Sequence, residues 1–309
     1  MSGGVVIIGG SGHLGSRIVQ SWLSETDMPI TIITRAESEA SFTNDARISV
    51  HKGDYTSVAF LKEAMTGQSV LVCAMGLTAT PESVELVYKT AAAVGVKWII
   101  PQGWGNDWQN PRLAARVPPM SAAKASRSMI TELGIPYTGF ITNPWLDWNI
   151  SSGLFSIDVA SRKATLYTGA VTRFNTTTLS QVGLAVVRFV RQLLQPGPDF
   201  KIEDYRDREV YISSFLLTQK ELLEAVQQAT NTTAGDWKVE TQDVQAYIRD
   251  GESLMSQGQF MKGLFQVLFG CLYSEGFGGD YESDKGVNNA VLGLPQEDLV
   301  LELRKAIKG

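Results

Sequence analysis

Cysteine is scarce. Cys73 and Cys271 are the only two in 309 residues, they stand far apart, and Cys73 lies in an apolar run. No disulfide framework is expected, and a reducing compartment is implied. Histidine is equally sparse: His13 and His51 have no metal-ligand spacing, so no metal site is expected. No apolar run approaches the roughly 18 residues needed to span a membrane. There is no Lys/Arg block and the net charge is -5, which argues against nucleic acid or an anionic membrane as partner. The absence of a G-x-S-x-G elbow disfavours a hydrolase triad, and the absence of a Walker lysine disfavours ATP hydrolysis. The stretch Met1–Gly10 lacks a charged n-region and has only four consecutive apolar residues, so it reads as a strand and not a signal peptide. On that reading the sequons at Asn149, Asn175 and Asn231 are chance matches, and a cytoplasmic location is expected.

What is present is a pattern. Hydrophobic residues make up 44% of the chain, enough for a full core. Val5–Ile8 is a continuous apolar strand, and Leu14, Ile18 and Trp22 then recur on one helical face. Further strands are predicted at Ile30–Thr34, Ile48–Lys52, Val70–Met75, Val96–Ile100 and Tyr137–Ile141. Helices fall between them: one around Val58–Met65, one opened by Thr80-Pro81 and closed by Gly95, one between Pro118-Pro119 and Gly134. Such alternation predicts an α/β fold with a doubly wound parallel Rossmann sheet over residues 1–150. Residues 151–309 are expected to form a smaller α+β substrate-binding region, some elements of which return to the sheet. Its signals are helices at Gln181–Leu194 and Gln296–Ile307, a strand at Glu209–Ser213, a capping box at Thr218–Glu221, and a Phe/Met/Leu-rich stretch from Met255 to Tyr273.

The chemistry is concentrated in the first loop. Gly9, Gly10, Ser11, Gly12, His13, Leu14 and Gly15 satisfy both G-x-G-x-x-G and G-x-x-G-x-x-G, directly after a buried strand and before an amphipathic helix. One glycine permits a tight turn, one lets the backbone approach a pyrophosphate, and one lets helix and strand pack closely. The helix N-terminus then offers free N–H groups to phosphate. Arg35 ends the second strand, where the adenosine ribose lies in such folds, and suits a 2′-phosphate; NADP(H) is therefore the expected cofactor, with Arg17 as a further charge and Glu37 as a competing acid.

Taken with Gly53-Asp54, Val96–Gly105, Lys124 and Gly134-Ile135-Pro136-Tyr137-Thr138, this loop resembles the NmrA-like and isoflavone-reductase-like proteins, which are atypical short-chain dehydrogenase/reductases. Val210–Ser214, Thr218–Glu221 and Leu292–Leu299 are similar to fungal members of that group. The resemblance implies that Asp54 lies near the adenine and that Ala74, Met75 and Gly76 line the cofactor. Gln102, Gly103 and Asn143 are expected at the carboxyl edge of the sheet. Ordinary short-chain dehydrogenases carry a Tyr four residues before the Lys; here that position is Met120, as it is non-tyrosine in isoflavone-reductase-like enzymes. Lys124 is thus expected both to anchor the nicotinamide ribose and to be the principal catalytic residue, with Asp107 as a secondary acid/base. Trp104, Trp145, Trp148, Phe260 and Phe265 are the candidate substrate contacts, suited to a bulky aromatic secondary metabolite. Three functions follow as expectations: a reductase, a cofactor-dependent isomerase or ring-opening enzyme, and a dinucleotide-sensing regulator. The expected oligomeric state is monomer or homodimer.

Overall fold

The computed structural model describes residues 3–76, 79–168 and 171–308; the first two residues of the N-terminal stretch lie outside them. Strand β1 (Gly4–Ile8) buries all four of its apolar residues. It shows no polar alternation because helices cover both faces of the sheet. With β2 (Ile30–Arg35), β3 (Ile48–Gly53), β4 (Gln68–Cys73) and β5 (Trp98–Ile100) it forms a parallel sheet of order β3-β2-β1-β4-β5. Helices α1 (His13–Glu25), α2 (Val58–Met65) and α3 (Pro81–Ala93) are the crossovers. Strand order reverses between β1 and β4, which opens a ligand crevice at their carboxyl ends.

After β5 come α4 (Pro111–Arg116), α5 (Pro118–Glu132) and β6 (Thr138–Ile141). A parallel bridge from Ile99 to Tyr137 joins β6 to the sheet edge. Helix α4 lies outside the elements expected from the sequence, although Asn110-Pro111 is a start signal: the Asn110 side-chain Oδ1 accepts from the N–H of Arg112 and Leu113.

The rest of the chain comprises α6 (Leu146–Ser151), β7 (Ile157–Asp158), β8 (Lys163–Tyr167), β9 (Arg173–Thr176), α7 (Leu179–Leu194), β10 (Arg208–Tyr211) and β11 (Phe215–Thr218). Then follow α8 (Gln219–Ala229), β12 (Lys238–Gln242), α9 (Val244–Ser256), α10 (Phe260–Leu272), α11 (Tyr281–Lys285) and α12 (Leu299–Lys308). Two of these belong to the first layer. Strand β10 pairs in parallel with β6, Val210 opposite Phe140. Helix α7 lies on α1, where a Cβ at Gly183 would come within 2.8 Å of the Arg17 main chain. Val182, Val186, Phe189 and Val190 of α7 share one core with Leu14, Ile18 and Trp22 of α1. A cut at residue 150 would divide that core.

The other elements build a second body around Leu146, Phe155, Phe174, Leu222 and Phe269. It contains the three-stranded sheet β12-β8-β7 and the antiparallel pair β9–β11. The apolar Met255–Tyr273 stretch spans the end of α9 and all of α10, separated by a turn at Gly258, whose φ is +84°.

Candidate active site

The glycine loop runs from β1 into α1, and each glycine has its own reason. Gly9 turns with φ +84°, and a Cβ there would stand 2.2 Å from the Ala74 carbonyl oxygen. A Cβ at Gly10 would meet Ile32, and one at Gly15 would lie 2.1 Å from the Gly9 oxygen. Gly12 differs: its φ is -75°, and a Cβ would meet the Gly9 and Ala74 oxygens only at 3.3 and 3.9 Å. A Cβ at Gly12 would press on the Gly9 oxygen, a far milder contact than those at Gly9 and Gly15. Gly12 caps α1 with no side chain, and the first turn of α1 holds no acid, so the positive end of the helix is unopposed for an anion. The Ser11 and Thr34 hydroxyls meet at 3.3 Å and tie the loop to β2; Thr34, buried, was not singled out from the sequence.

Around the crevice the chain closes with hydrogen bonds. Ala74 N–H donates to the Ile8 oxygen at 2.9 Å. The Gln102 side chain donates to the Met75 oxygen at 2.8 Å, and its N–H donates to the Tyr88 hydroxyl at 2.8 Å. Gly103, with φ +116°, lies against Arg127, whose Nη1 donates to the Gln102 oxygen at 2.6 Å. Gly76 ends this described segment.

Beyond β2 and β3 lies a depression of about 180 Å³, lined by Arg35, Ala36, Glu37, Gly53, Asp54 and Tyr55. Arg35 pairs with Glu37 at 3.3 Å. Asp54 accepts from the Thr56 N–H at 2.8 Å and the Thr56 hydroxyl at 2.7 Å, bonds that hold its carboxyl below the ordinary carboxylate value. Tyr55 donates to the Ile33 oxygen at 3.2 Å, and burial pushes its hydroxyl up to about 12. Arg17 turns to Gln20 along the outside of α1, at 3.2 Å.

The aromatic candidates separate. His13 at the loop faces Trp148 of α6, ring centroids 6.2 Å apart, and Trp148 in turn meets Phe265 of α10 at 6.1 Å and Trp145 at 6.3 Å. Trp104 instead stacks on Phe140 at 5.8 Å and donates its indole N–H to the Cys73 oxygen, which makes it part of the sheet core. Phe260 opens α10 and is 44% exposed, with no aromatic neighbour among the described residues.

Two polar candidates are engaged by the protein. The Asp107 carboxylate is buried; it accepts from the Gln109 N–H at 3.0 Å, from Lys285 Nζ at 2.5 Å and from the Tyr211 hydroxyl at 3.3 Å. It anchors a Lys285–Tyr211 cluster, both partners meeting the same oxygen, Oδ2, while Oδ1 accepts from the Gln109 N–H. Asn143, with φ +50°, is buried and donates to the Gly279 oxygen at 2.8 Å, linking the β6 loop to the glycine-rich 276–279 turn. Neither Lys285 nor Gly279 is near these residues in sequence, so local reasoning had no access to the pairings. Lys124 lies exposed on α5 and has no hydrogen-bond or ion-pair partner among the described residues. One turn earlier on the same helix, half-buried Met120 packs against the apolar cluster that contains Leu113, Val117, Leu264 and Val267.

A parallel sheet, a glycine cradle at a helix N-terminus and a depression beyond β2 and β3 define a Rossmann dinucleotide-binding fold. Residues 9–140 match the model of the NAD(P)H-binding family. The chain is 29% identical over 279 residues to oxidoreductase poxI of Penicillium oxalicum, covering 86% of this chain and 81% of that one. To oxidoreductase BOA1 of Botryotinia fuckeliana it is 22% identical over 171 residues, covering 51% and 56%. Among solved structures, AtPrR2 with NADP+ and (+)pinoresinol superposes with a TM-score of 0.76 at 18% identity, over 99% of both chains. The triphenylmethane reductase of Citrobacter sp. complexed with NADP(H) gives 0.70 at 21% identity, over 98% and 99%. Isoflavone reductase gives 0.71 at 16% identity, over 99% of both. The resemblance to isoflavone-reductase-like proteins is thus matched by a shared fold along the whole chain. No described helix is long and apolar enough to cross a membrane.

Proposed function

We propose that this chain is an NADP(H)-dependent reductase acting on a bulky aromatic secondary metabolite, with Lys124 as its principal catalytic residue. The observation that carries this reading is the line of His13, Trp148 and Phe265 leading from the cofactor loop to α10. Flat apolar faces beside a dinucleotide cradle favour a flat apolar substrate over a sugar or an acid. NADP(H) supplies a hydride when bound. Gly12 and the first turn of α1 would hold its pyrophosphate, and Arg35 its 2′-phosphate. Lys124, free of protein partners, would bind the ribose hydroxyls and supply the proton.

A second reading, a cofactor-dependent isomerase or ring-opening enzyme, is favoured by Met120. The usual proton-donating tyrosine position is filled by an apolar side chain packed into a core. Both readings meet one experiment. Aromatic metabolites are screened with NADPH deuterated at the transferred position. Label in the product establishes hydride transfer; product without label and without NADPH consumption establishes the second reading. Lys124→Ala should lower turnover roughly 10²- to 10⁴-fold with little change in cofactor affinity. Undiminished turnover would remove Lys124 from the chemistry.

A further inference from the structure

Arg35 is opposed by an acid of its own turn, and we infer that Glu37 is a built-in competitor for the 2′-phosphate. In the free protein it neutralises Arg35; with NAD(H) it receives the ribose 2′-hydroxyl. The site therefore takes both dinucleotides, and the Arg35–Glu37 pair sets the ratio. This deepens the cofactor reading above and rests on it.

The geometry is local. The Ala36 N–H donates to the Gly53 oxygen at 3.1 Å, and the Ser38 N–H returns to the Arg35 oxygen at 3.0 Å. That turn brings positions 35 and 37 together over the same depression, with Arg35 Nε 3.3 Å from Glu37 Oε1. The other charges beside it are committed. Asp54 is held by Thr56, and Lys52 Nζ is bonded to the Ser38 oxygen at 2.8 Å, closing the turn. Arg35 and Glu37 are thus the cation and the anion left to face a ribose.

The two ligands make opposite demands. A phosphate dianion needs the guanidinium and is repelled by the carboxylate; a hydroxyl donates to a carboxylate and gains little from the guanidinium. The side chains are 65% and 68% exposed, so the pair is screened and opens readily, holding Arg35 by no more than about fivefold. An incoming 2′-phosphate can displace Glu37, and the displacement lowers NADP(H) affinity without abolishing it.

The test is calorimetric titration of the full-length protein with NADP+ and with NAD+, for wild type, Glu37→Gln and Arg35→Ala. Wild type should bind both. Glu37→Gln should tighten NADP+ by about three- to tenfold and weaken NAD+ by a few-fold, because the repelling charge is gone and the amide is a poorer acceptor. Arg35→Ala should reverse the preference toward NAD+. An unchanged NADP+ to NAD+ ratio in Glu37→Gln overturns the role of Glu37 while leaving the dinucleotide site intact. Failure of wild type to bind either dinucleotide overturns the cofactor reading itself, and this inference with it.

Discussion

Arg127 of α5 and Glu209 of β10 meet at 3.0 Å, Nε to Oε1, with side chains 2% and 0% exposed. The same guanidinium holds the Gln102 oxygen, so one cation ties α5, β10 and the turn after β5. Arg127 Nη2 and Glu209 Oε2 have no hydrogen-bond partner among the described residues, so the pair is incompletely satisfied. Removing one member of a buried pair strands the other charge, whereas removing both need not destabilise. Arg127→Met should therefore lower the unfolding free energy by about 3–5 kcal/mol, and Arg127→Met/Glu209→Leu should recover much of that loss. Urea denaturation of the two single variants and the double variant measures the coupling; strictly additive losses would show that the two charges do not depend on each other.

The glycines of the first loop should separate binding from folding. A side chain at Gly15 collides with the Gly9 carbonyl, so Gly15→Val should unfold or severely destabilise the domain. A Cβ at Gly12 would press on the Gly9 oxygen at 3.3 Å, without the collision found at Gly15, so Gly12→Val should largely keep the far-ultraviolet circular dichroism of the wild type and lose dinucleotide binding. A folded Gly12→Val that binds NADP+ normally would place the pyrophosphate elsewhere.

Asp147 gives stability a pH dependence of known sign. It caps α7, accepting from the Leu179 N–H at 3.2 Å, yet burial raises its carboxyl above the ordinary 3.8 despite that bond. The folded state therefore holds the proton more tightly than the unfolded chain. The resulting stabilisation is complete below 3.8 and is lost as pH rises through the raised value. Asp147→Asn keeps the acceptor and cannot titrate. Urea midpoints between about pH 3 and 7 should show wild type losing ground to Asp147→Asn as pH rises. Parallel curves, or the opposite trend, would refute the assignment.

Local signals were read well where the physics is local. Thr80 and Thr218 cap their helices through their own side chains, and Thr218 with Glu221 forms the reciprocal box. The inner strands β1 and β4 are legible because burial on both faces leaves them continuous apolar runs, Val5–Ile8 and Val70–Cys73. Helix α4 was missed although Asn110 carried its signal; six residues are too few to show a period. Trp104 was grouped with Trp148 because composition cannot tell which way a loop indole turns.

The sequence by itself determined the dinucleotide half of this protein. A buried strand, three spaced glycines and a helix start are contiguous, and their chemistry needs only neighbours in the chain. Tertiary structure alone decided the other half. It returned α7 and β10 to the first layer, bound Asp107 to Lys285 across 178 positions, buried Arg127 against Glu209, and set Trp148 against both His13 and Phe265. Those pairings are set by which surfaces exclude water together once the sheet has formed, and nothing in the spacing of the residues records that.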